Sequence, residues 1–253
     1  MITIISPAKS FDFDSSIADI RSTEPSFQDE SYRLIKKLRT LSKKKVRSMM
    51  NLSKDLTELN VLRYQEWEPE FTLEVSRPAI LTFNGEVYRG IDAKNLSESE
   101  LHFAQDHLRI LSGLHGVLRP LDRIRPYRLE MGATLPIQRK RNLYQFWSQK
   151  VTKLLADELE ASESKTLINL ASSEYFKAVD FTKLPGKVIT PIFKDFKNGE
   201  YKVIMTWAKN ARGRTAGYIL RNGITNPENI KLFDEYKFSE PQSSEEEWVF
   251  LRG

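Results

Sequence analysis

The chain of 253 residues contains no cysteine, only three histidines and no long apolar run. The absence of cysteine excludes disulfides, cysteine-ligated zinc, iron–sulfur clusters and thiol catalysis. A membrane helix needs roughly 20 consecutive apolar residues, and no run in this sequence approaches that length. The chain continues from Met1 directly into an apolar stretch, without the basic region and cleavage site of a signal peptide. We therefore expect a cytoplasmic protein with no membrane partner.

The three histidines, His102, His107 and His115, do not have the spacing of a metal site. A separation of five residues places the first two about 140° apart on a helix, so they cannot ligate one ion from the same face. The sequence also lacks the His-x-x-x-His pattern and the spacing of a site with two histidines and one carboxylate. It predicts no dedicated metal site and no cofactor.

Positive charge is modest overall, at +5, but it is concentrated in three stretches. Residues 101–150 contain nine Lys or Arg and three acids, whereas residues 31–50 and 201–221 contain eight and five basic residues and no acid. The sign reverses in an acidic C-terminal tail over residues 224–253. This segregation indicates a basic face, for which polyanions are the usual partner, and solvated helix surfaces are the alternative.

Strands and helices are intermixed along the chain. Short apolar, β-branched runs predict strands at residues 2–5, 79–83, 166–171, 187–193, 201–207 and 248–251. Helical periodicity predicts helices at residues 29–41, 53–65, 97–111 and 143–160, the third opened by a capping box of Ser97 and Glu100. An Asn-Gly pair within residues 197–200 predicts a hairpin. Because strict βαβ alternation is absent, we predict a single α/β domain of the α+β type over residues 1–253, with helices flanking a mixed, largely antiparallel sheet.

The segment from Ser112 to Arg128 combines glycines, prolines and arginines. Gly113 and Gly116 lack a Cβ, which lets backbone N–H groups approach an anion closely. Two prolines stiffen the loop that carries Arg119, Arg123, Arg125 and Arg128. Guanidinium groups held in this way suit phosphate oxygens. The alternative is a glycine helix cap followed by a surface loop whose arginines pair with Asp122 and Glu130.

Polar residues follow three of the predicted strands, at Ser6–Lys9, Ser172–Lys177 and Lys209–Gly213. Strand ends are where α/β proteins commonly build sites. If these ends meet, they form an anion pocket in which Glu174 is the candidate catalytic residue, acting as a general base. The members of this pocket are Lys9, Glu174, Tyr175, Lys177, Lys209 and Arg212. The alternatives are a surface turn at Lys9 and an ordinary helix N-terminus after Ser172.

Seven ordered blocks of the sequence match a known family. They are "SPAK" (6–9), "FNGEVYRG" (83–90), "LSGLHGVLRPLD" (111–122), "PYRLEMG" (126–132), "LYQFW" (143–147), "INLASSEYFK" (168–177) and "KNARG" (209–213). Together they closely resemble the YaaA family of bacterial peroxide stress proteins. The resemblance implies a protein that limits oxidative damage to DNA and protein by keeping free iron low, and it settles no enzymatic reaction.

The resemblance also implies DNA binding through a helix-hairpin-helix-like element. In such an element, glycines of a short hairpin aim backbone N–H groups at a phosphate, a role for Gly113 and Gly116. These glycines are three residues apart instead of the usual two, and Pro120 limits a second helix, so the motif here is a variant.

Three functions are compatible with these patterns. The first is a DNA-binding stress protein that recognises structure more than sequence and contacts the phosphate backbone with the basic stretches and with Gly113, Gly116, Arg119, Arg123, Arg125, Arg128, Lys209 and Arg212. It predicts a steep loss of affinity with salt. The second is an enzyme that processes a nucleic acid or nucleotide in the anion pocket, for which Glu174→Gln abolishes turnover and spares binding. The third is a protein-interaction factor in iron metabolism, which has no salt-sensitive affinity for DNA.

Overall fold

An eight-stranded mixed sheet lies at the centre of the computed structural model, which describes residues 1–15, 20–72 and 74–253. The strands of this sheet and of two small ribbons are β1 (Ile2–Ile5), β2 (Ser10–Phe11), β3 (Arg77–Pro78), β4 (Phe83–Asn84), β5 (Leu108–Ser112), β6 (Gly116–Leu118), β7 (Arg123–Ile124), β8 (Thr166–Leu170), β9 (Lys187–Lys197), β10 (Glu200–Lys202), β11 (Lys237–Phe238) and β12 (Glu247–Arg252).

The main sheet has the order β11-β12-β9-β8-β1-β5-β6, with β10 paired to the far end of β9. The strands β5, β1, β8, β9 and β12 are parallel to their neighbours in this series, whereas β6, β10 and β11 are antiparallel additions. The predicted α/β class and mixed sheet are confirmed, but the expectation of a largely antiparallel sheet is wrong. Strands β1 and β8 are buried along their whole length, as is typical of parallel strands covered on both faces.

Helices surround this sheet. They are α1 (Gln28–Arg39), α2 (Lys43–Met50), α3 (Lys54–Glu66), α4 (Ala79–Thr82), α5 (Glu86–Ile91), α6 (Glu98–His107), α7 (Leu143–Ala161), α8 (Ser173–Phe176) and α9 (Met205–Arg221), with 3-10 turns at Ala93–Asn95, Phe181–Lys183, Pro227–Leu232 and Glu240–Gln242. The predicted helices at 29–41, 53–65 and 143–160 are confirmed as α1, α3 and α7. The capping box of Ser97 and Glu100 at the start of α6 is also confirmed.

The helix predicted at 97–111 ends at His107, and the residues after it form a β-hairpin of β5 and β6. Gly113 and Gly116 therefore lie in a connection between two strands, and the helix-hairpin-helix-like element stays a prediction. Parallel pairing of β5 with the buried strand β1 overrides the helical periodicity. Gly116 has φ +68° and packs on Trp147, whose indole N–H donates to the Gly113 carbonyl at 2.9 Å. Both glycines thus pack the hairpin against α7.

The strand predicted at 79–83 is mostly helical, and the strand predicted at 201–207 is divided between a short strand and a helix. Residues 79–82 form α4, and only Phe83 of the predicted strand lies in β4. The predicted hairpin is confirmed, with Asn198 and Gly199 at positive φ in its turn, but β10 ends at Lys202 and α9 begins at Met205. Ala208, Ala211, Thr215 and Ile219 are buried at helical spacing along α9, so packing of this helix decides the structure of residues 205–207. The block at 209–213 consequently lies within α9 and not after a strand.

The acidic tail over residues 224–253 contributes to the sheet. Strand β12 lies between β11 and β9, and its Trp248, Val249 and Phe250 are buried. Within the three described ranges, no helix is long and apolar enough to cross a lipid bilayer.

Candidate anion-binding cleft

A cleft opens at the carboxyl ends of β1 and β8, which are parallel neighbours with Ile5 opposite Leu170. From β1 the chain next enters the main sheet on one side, at β5, whereas from β8 it continues to the other side, at β9. The loops after these two strands therefore separate and leave a crevice between them. Such a switch point, outside the carboxyl ends of adjacent parallel strands, is where open α/β sheets bind ligands.

Four separate parts of the chain line this cleft, which has a volume of about 270 Å³. Three of them carry residues of the predicted anion pocket, and the fourth is the segment from Asn84 to Tyr88. The loop after β1 contributes Lys9, the segment after β8 contributes Glu174 and Tyr175, and α9 contributes Lys209 and Arg212. The structure thus brings together five of the six residues that the sequence assigned to an anion pocket. Lys177, the sixth, is exposed at the end of α8 and does not line the cleft.

A hydrogen-bonded frame fixes the base of the cleft. The Ser172 backbone N–H donates to Ser6 Oγ at 2.8 Å, and Ser6 Oγ donates to Ser172 Oγ at 3.2 Å. The Tyr88 hydroxyl of α5 donates to the Ser6 carbonyl at 3.1 Å. The two strand ends and α5 are therefore held together independently of any ligand.

Arg212 brings uncompensated positive charge to this cleft. Its side chain is half-buried, and it has no hydrogen-bond or carboxylate partner among the residues that the structure describes. Burial lowers the pKa of the Arg212 guanidinium, because desolvation penalises the charged form. Lys209, one helical turn earlier, is exposed and likewise has no acidic partner in the described ranges. A partly desolvated cation without a counter-ion favours an anionic ligand.

The third cation of the cleft, Lys9, is already paired. Its ammonium lies 3.0 Å from Glu130, and the same carboxylate accepts from Arg128 at 2.7 Å. The sequence predicts Glu130 only as a partner for the arginines of the 112–128 segment. The structure makes it the anchor that holds Lys9 at the rim of the cleft.

Glu174 and Tyr175 supply an acceptor and a donor. Glu174 Oε1 accepts from the Gly132 backbone N–H at 3.2 Å, and the Glu174 carbonyl accepts from the Tyr144 hydroxyl at 2.9 Å, so this residue is fixed at both ends. Burial raises the pKa of the Tyr175 phenol well above its ordinary value, with a further contribution from the nearby charge of Glu174. Tyr175 is therefore a neutral hydrogen-bond donor at physiological pH.

The sequence interpretation missed the wall formed by Asn84, Gly85 and Glu86. Asn84 ends β4, and the residues after it begin α5. A Cβ on Gly85 would lie 3.2 Å from the Ala8 Cβ, so the glycine permits close approach of the two loops. The signal that could have revealed this wall was the Asn-Gly pair in the block at 83–90, which marks a turn next to a strand.

Comparison with known proteins identifies the family. The model of the family described as peroxide stress protein YaaA matches residues 1–242 of the chain. The chain belongs to the YaaA family. It is similar to UPF0246 proteins of Aliivibrio fischeri strain MJ11, at 48% identity over all of this chain and 98% of the relative, and of Teredinibacter turnerae, at 47% identity over all of this chain and 99% of the relative. It is also similar to a UPF0246 protein of Ralstonia pickettii strain 12J, at 47% identity over all of this chain and 99% of the relative.

In this YaaA family chain, two arginines of the 112–128 segment pair with acids. Arg119 lies 3.4 Å from the buried carboxylate of Asp122, and its backbone N–H donates to the same carboxylate at 2.8 Å. Arg128 donates to Glu130, and its carbonyl accepts from the Tyr64 hydroxyl. These contacts support the alternative in which the arginines serve the structure.

The other two arginines of this YaaA segment bond to neutral protein groups. Arg123 is only 9% exposed and donates to the hydroxyl and carbonyl oxygens of Ser76, both at 3.0 Å. Arg125 donates to the Glu68 carbonyl at 3.1 Å. Contact of the four arginines with DNA stays a prediction, and it requires at least Arg123 to leave its present partners.

The histidines of the YaaA chain are scattered. His115 is fully buried, His107 Nδ1 lies 2.9 Å from the Met1 carbonyl, and His102 is 3.9 Å from Glu98. In the part of the chain that the structure describes, no three His, Asp or Glu side chains are grouped so that they could hold a metal ion.

Proposed function

We propose that this peroxide stress protein binds the phosphate group of a nucleotide or nucleic acid in the strand-end cleft. The observation that carries the proposal is Arg212, a half-buried guanidinium without a protein partner in the described ranges, beside Lys209 at a switch point of the sheet. A guanidinium offers two parallel N–H groups that match two phosphate oxygens, and a lysine adds a mobile point charge. Tyr175 contributes a neutral donor to the same anion.

Glu174 gives this cleft the capacity for acid–base chemistry. Its carboxylate is oriented by the Gly132 N–H, so it faces the cleft beside the cations. In a hydrolytic step it would accept one proton from a water molecule whose oxygen attacks the phosphorus of a bound phosphate ester, while the bond from phosphorus to the ester oxygen breaks and the released oxygen takes a proton from solvent. The enzymatic alternative inferred from the sequence is therefore the function that the geometry supports best.

Titration of the purified protein with inorganic phosphate tests this proposal. Arg212→Met is expected to weaken phosphate binding about tenfold or more, because a hydrogen bond to a charged group contributes roughly 1.5–3 kcal/mol. Glu174→Gln should retain or slightly improve binding, since it removes a negative charge next to the anion. The matched control is Arg214→Met, two residues along the same helix, where the arginine pairs with Glu235 instead of lining the cleft. Equal phosphate affinity of the Arg212 and Arg214 variants would refute the proposal.

DNA binding is a second candidate, favoured by a different surface. Helices α1 and α2 expose Arg33, Lys36, Lys44 and Lys45 on a stretch without acids. None of these four lies within ion-pairing distance of an acid among the described residues, in contrast to Lys43 and Arg39 nearby, which pair with Glu58 and Glu68. Unpaired cations on neighbouring helices suit the phosphate backbone, read by structure more than by sequence.

A salt series with duplex and branched DNA distinguishes this surface from the arginine segment. We expect Lys44→Ala/Lys45→Ala to flatten the log–log dependence of affinity on salt by about two, one for each lost phosphate contact. Arg119→Ala/Arg128→Ala should leave the slope unchanged, because both arginines have internal partners. If only Arg119→Ala/Arg128→Ala changed the salt slope, the 112–128 segment would be the part of the protein that contacts DNA.

The lowering of free iron that the family resemblance implies is assigned to an indirect route. No grouping of His, Asp and Glu over the described ranges is arranged as a metal site, so the proposal includes no iron ligand. The effect on iron would follow from what the cleft binds or processes.

A further inference from the structure

A second chamber adjoins the cleft and shares two wall residues with it, Asn84 and Tyr88. Its volume is about 300 Å³. We infer that this chamber receives the base of a nucleoside phosphate whose phosphate lies in the cleft, and that Asn84 reads the edge of that base. The inference rests on the proposed function and adds to it the class of the ligand.

The inner wall of the chamber is apolar. Ile80, Leu81 and Phe83 line it, and all three are buried in the fold. The Phe83 ring is fixed by Phe11, stacked at 5.4 Å between centroids, and by Tyr88 at 5.2 Å. A rigid apolar surface of this kind favours a flat, weakly polar group such as a nucleobase over a hydrated ion.

The charged groups at the mouth of the chamber neutralise one another. Lys94 lies 2.7 Å from Asp12, and Asp12 also accepts from the Ser15 hydroxyl at 2.6 Å. Arg89 pairs with Glu86, and Asp92, the remaining charged residue of the lining, lies 3.8 Å from Arg221. The chamber therefore lacks the unbalanced positive charge that Arg212 and Lys209 give to the neighbouring cleft. A ligand that spans both spaces has its anionic end in the cleft and its uncharged end in the chamber.

Asn84 is placed at the boundary of the two spaces with a free amide. Its backbone is held in β4 opposite Ser10 of β2, so its position is fixed by strand pairing. The side chain is exposed and makes no hydrogen bond to another residue that the structure describes. A carboxamide presents a donor and an acceptor side by side, the pattern with which Asn contacts the edge of a base.

Calorimetric titration with four probes tests the inference: inorganic phosphate, ribose 5-phosphate and the 5′-monophosphates of adenosine and uridine. At least one nucleotide should bind about tenfold or more tightly than ribose 5-phosphate, since the chamber adds apolar contact and one or two hydrogen bonds. Asn84→Ala should reduce that preference, and Asn84→Asp, which exchanges two donors for acceptors, should change which base is preferred. The quantity compared is the ratio of nucleotide affinity to ribose 5-phosphate affinity, because Asn84→Asp also adds a negative charge to the wall that the cleft and the chamber share. The matched control is Asn229→Ala. Asn229 is exposed and lies outside both spaces, and its side-chain amide has no partner among the described residues.

The outcomes separate the inference from the proposal on which it rests. If ribose 5-phosphate and both nucleotides bind equally well, and Arg212→Met weakens all three, the cleft holds phosphate but the chamber holds no base. The same conclusion follows if the Asn84 variants bind every probe as the unmodified protein does. If inorganic phosphate and all the phosphate esters fail to bind, the proposed function itself is overturned.

Discussion

His115 lies in an entirely buried aromatic environment. Its ring faces Tyr127 edge-on at 5.3 Å between centroids, and the rings of Trp67 and Phe71 lie at 6.4 and 6.5 Å. Its Nδ1 lies 3.0 Å from the Ser31 hydroxyl, whereas its buried Nε2 has no hydrogen-bond partner among the described residues. Burial lowers the pKa of His115 to about 3, because a charged imidazole here would lose its hydration.

This histidine should make the fold sensitive to acid. In the unfolded chain its pKa is about 6.5, so between pH of about 6.5 and 3 the unfolded state takes up a proton that the folded state does not. The free energy of unfolding therefore falls as the pH is lowered through that range, by up to about 1.4 kcal/mol per pH unit. Urea unfolding at several pH values should show a shallower fall for His115→Asn than for the unmodified protein.

The control for this measurement is His102→Asn, which removes an exposed histidine. It should retain the pH dependence of the unmodified protein. Identical pH dependence of the two variants would show that His115 is not kept neutral by the fold.

At the scale of elements, α5 and α9 approach each other closely. Gly213 of α9 faces the Val87 carbonyl of α5, and a Cβ at this position would overlap that oxygen. Gly90 and Gly217 make similar backbone approaches across the same pair of helices. Because Arg212 lies next to Gly213, this contact sets the distance from the guanidinium to the Asn84 wall.

Gly213→Ala should therefore damage both stability and binding. The added methyl group has to push α9 away from α5, which we expect to cost about 1–3 kcal/mol of unfolding free energy. The displaced Arg212 should then bind phosphate more weakly, by about tenfold, as measured by thermal unfolding and phosphate titration of the same variant. Thr206→Ala, at the exposed start of α9, is the control for an alanine on this helix. Destabilisation with unchanged phosphate affinity would mean that the helix contact does not position Arg212.

The sequence predicted individual elements well where their pattern was long and unambiguous. The helices α1, α3 and α7 folded as expected. The segments at 79–83 and 201–207 were misassigned because short apolar runs have no distinctive period. The helix predicted at 97–111 is correct as far as His107, after which pairing with β1 decides the structure. Such tertiary effects lie outside any local window of sequence.

At the scale of the whole molecule, the cleft was partly predictable. The idea that polar residues after β1 and β8 form a site depended only on the general behaviour of strand ends, and those residues do meet. Lys209 and Arg212 reached the same cleft for another reason, since they lie within a helix that packs across the sheet. The Asn-Gly pair marked a turn at the Asn84 wall, but its place in the cleft and the pairing of Lys9 with Glu130 could not be predicted, because they depend on how distant loops approach each other.

The hydrogen bond between Ser6 and Ser172 joins positions 166 residues apart, and α9 adds the cations later still along the chain. During synthesis, the first wall of the cleft leaves the ribosome long before the groups that face it. No early folding unit can therefore contain a competent binding site, and the ligand can select only chains whose two halves have already assembled. A ligand bound in the cleft as proposed would stabilise newly made protein late, and its depletion would first lower the yield of folded molecules.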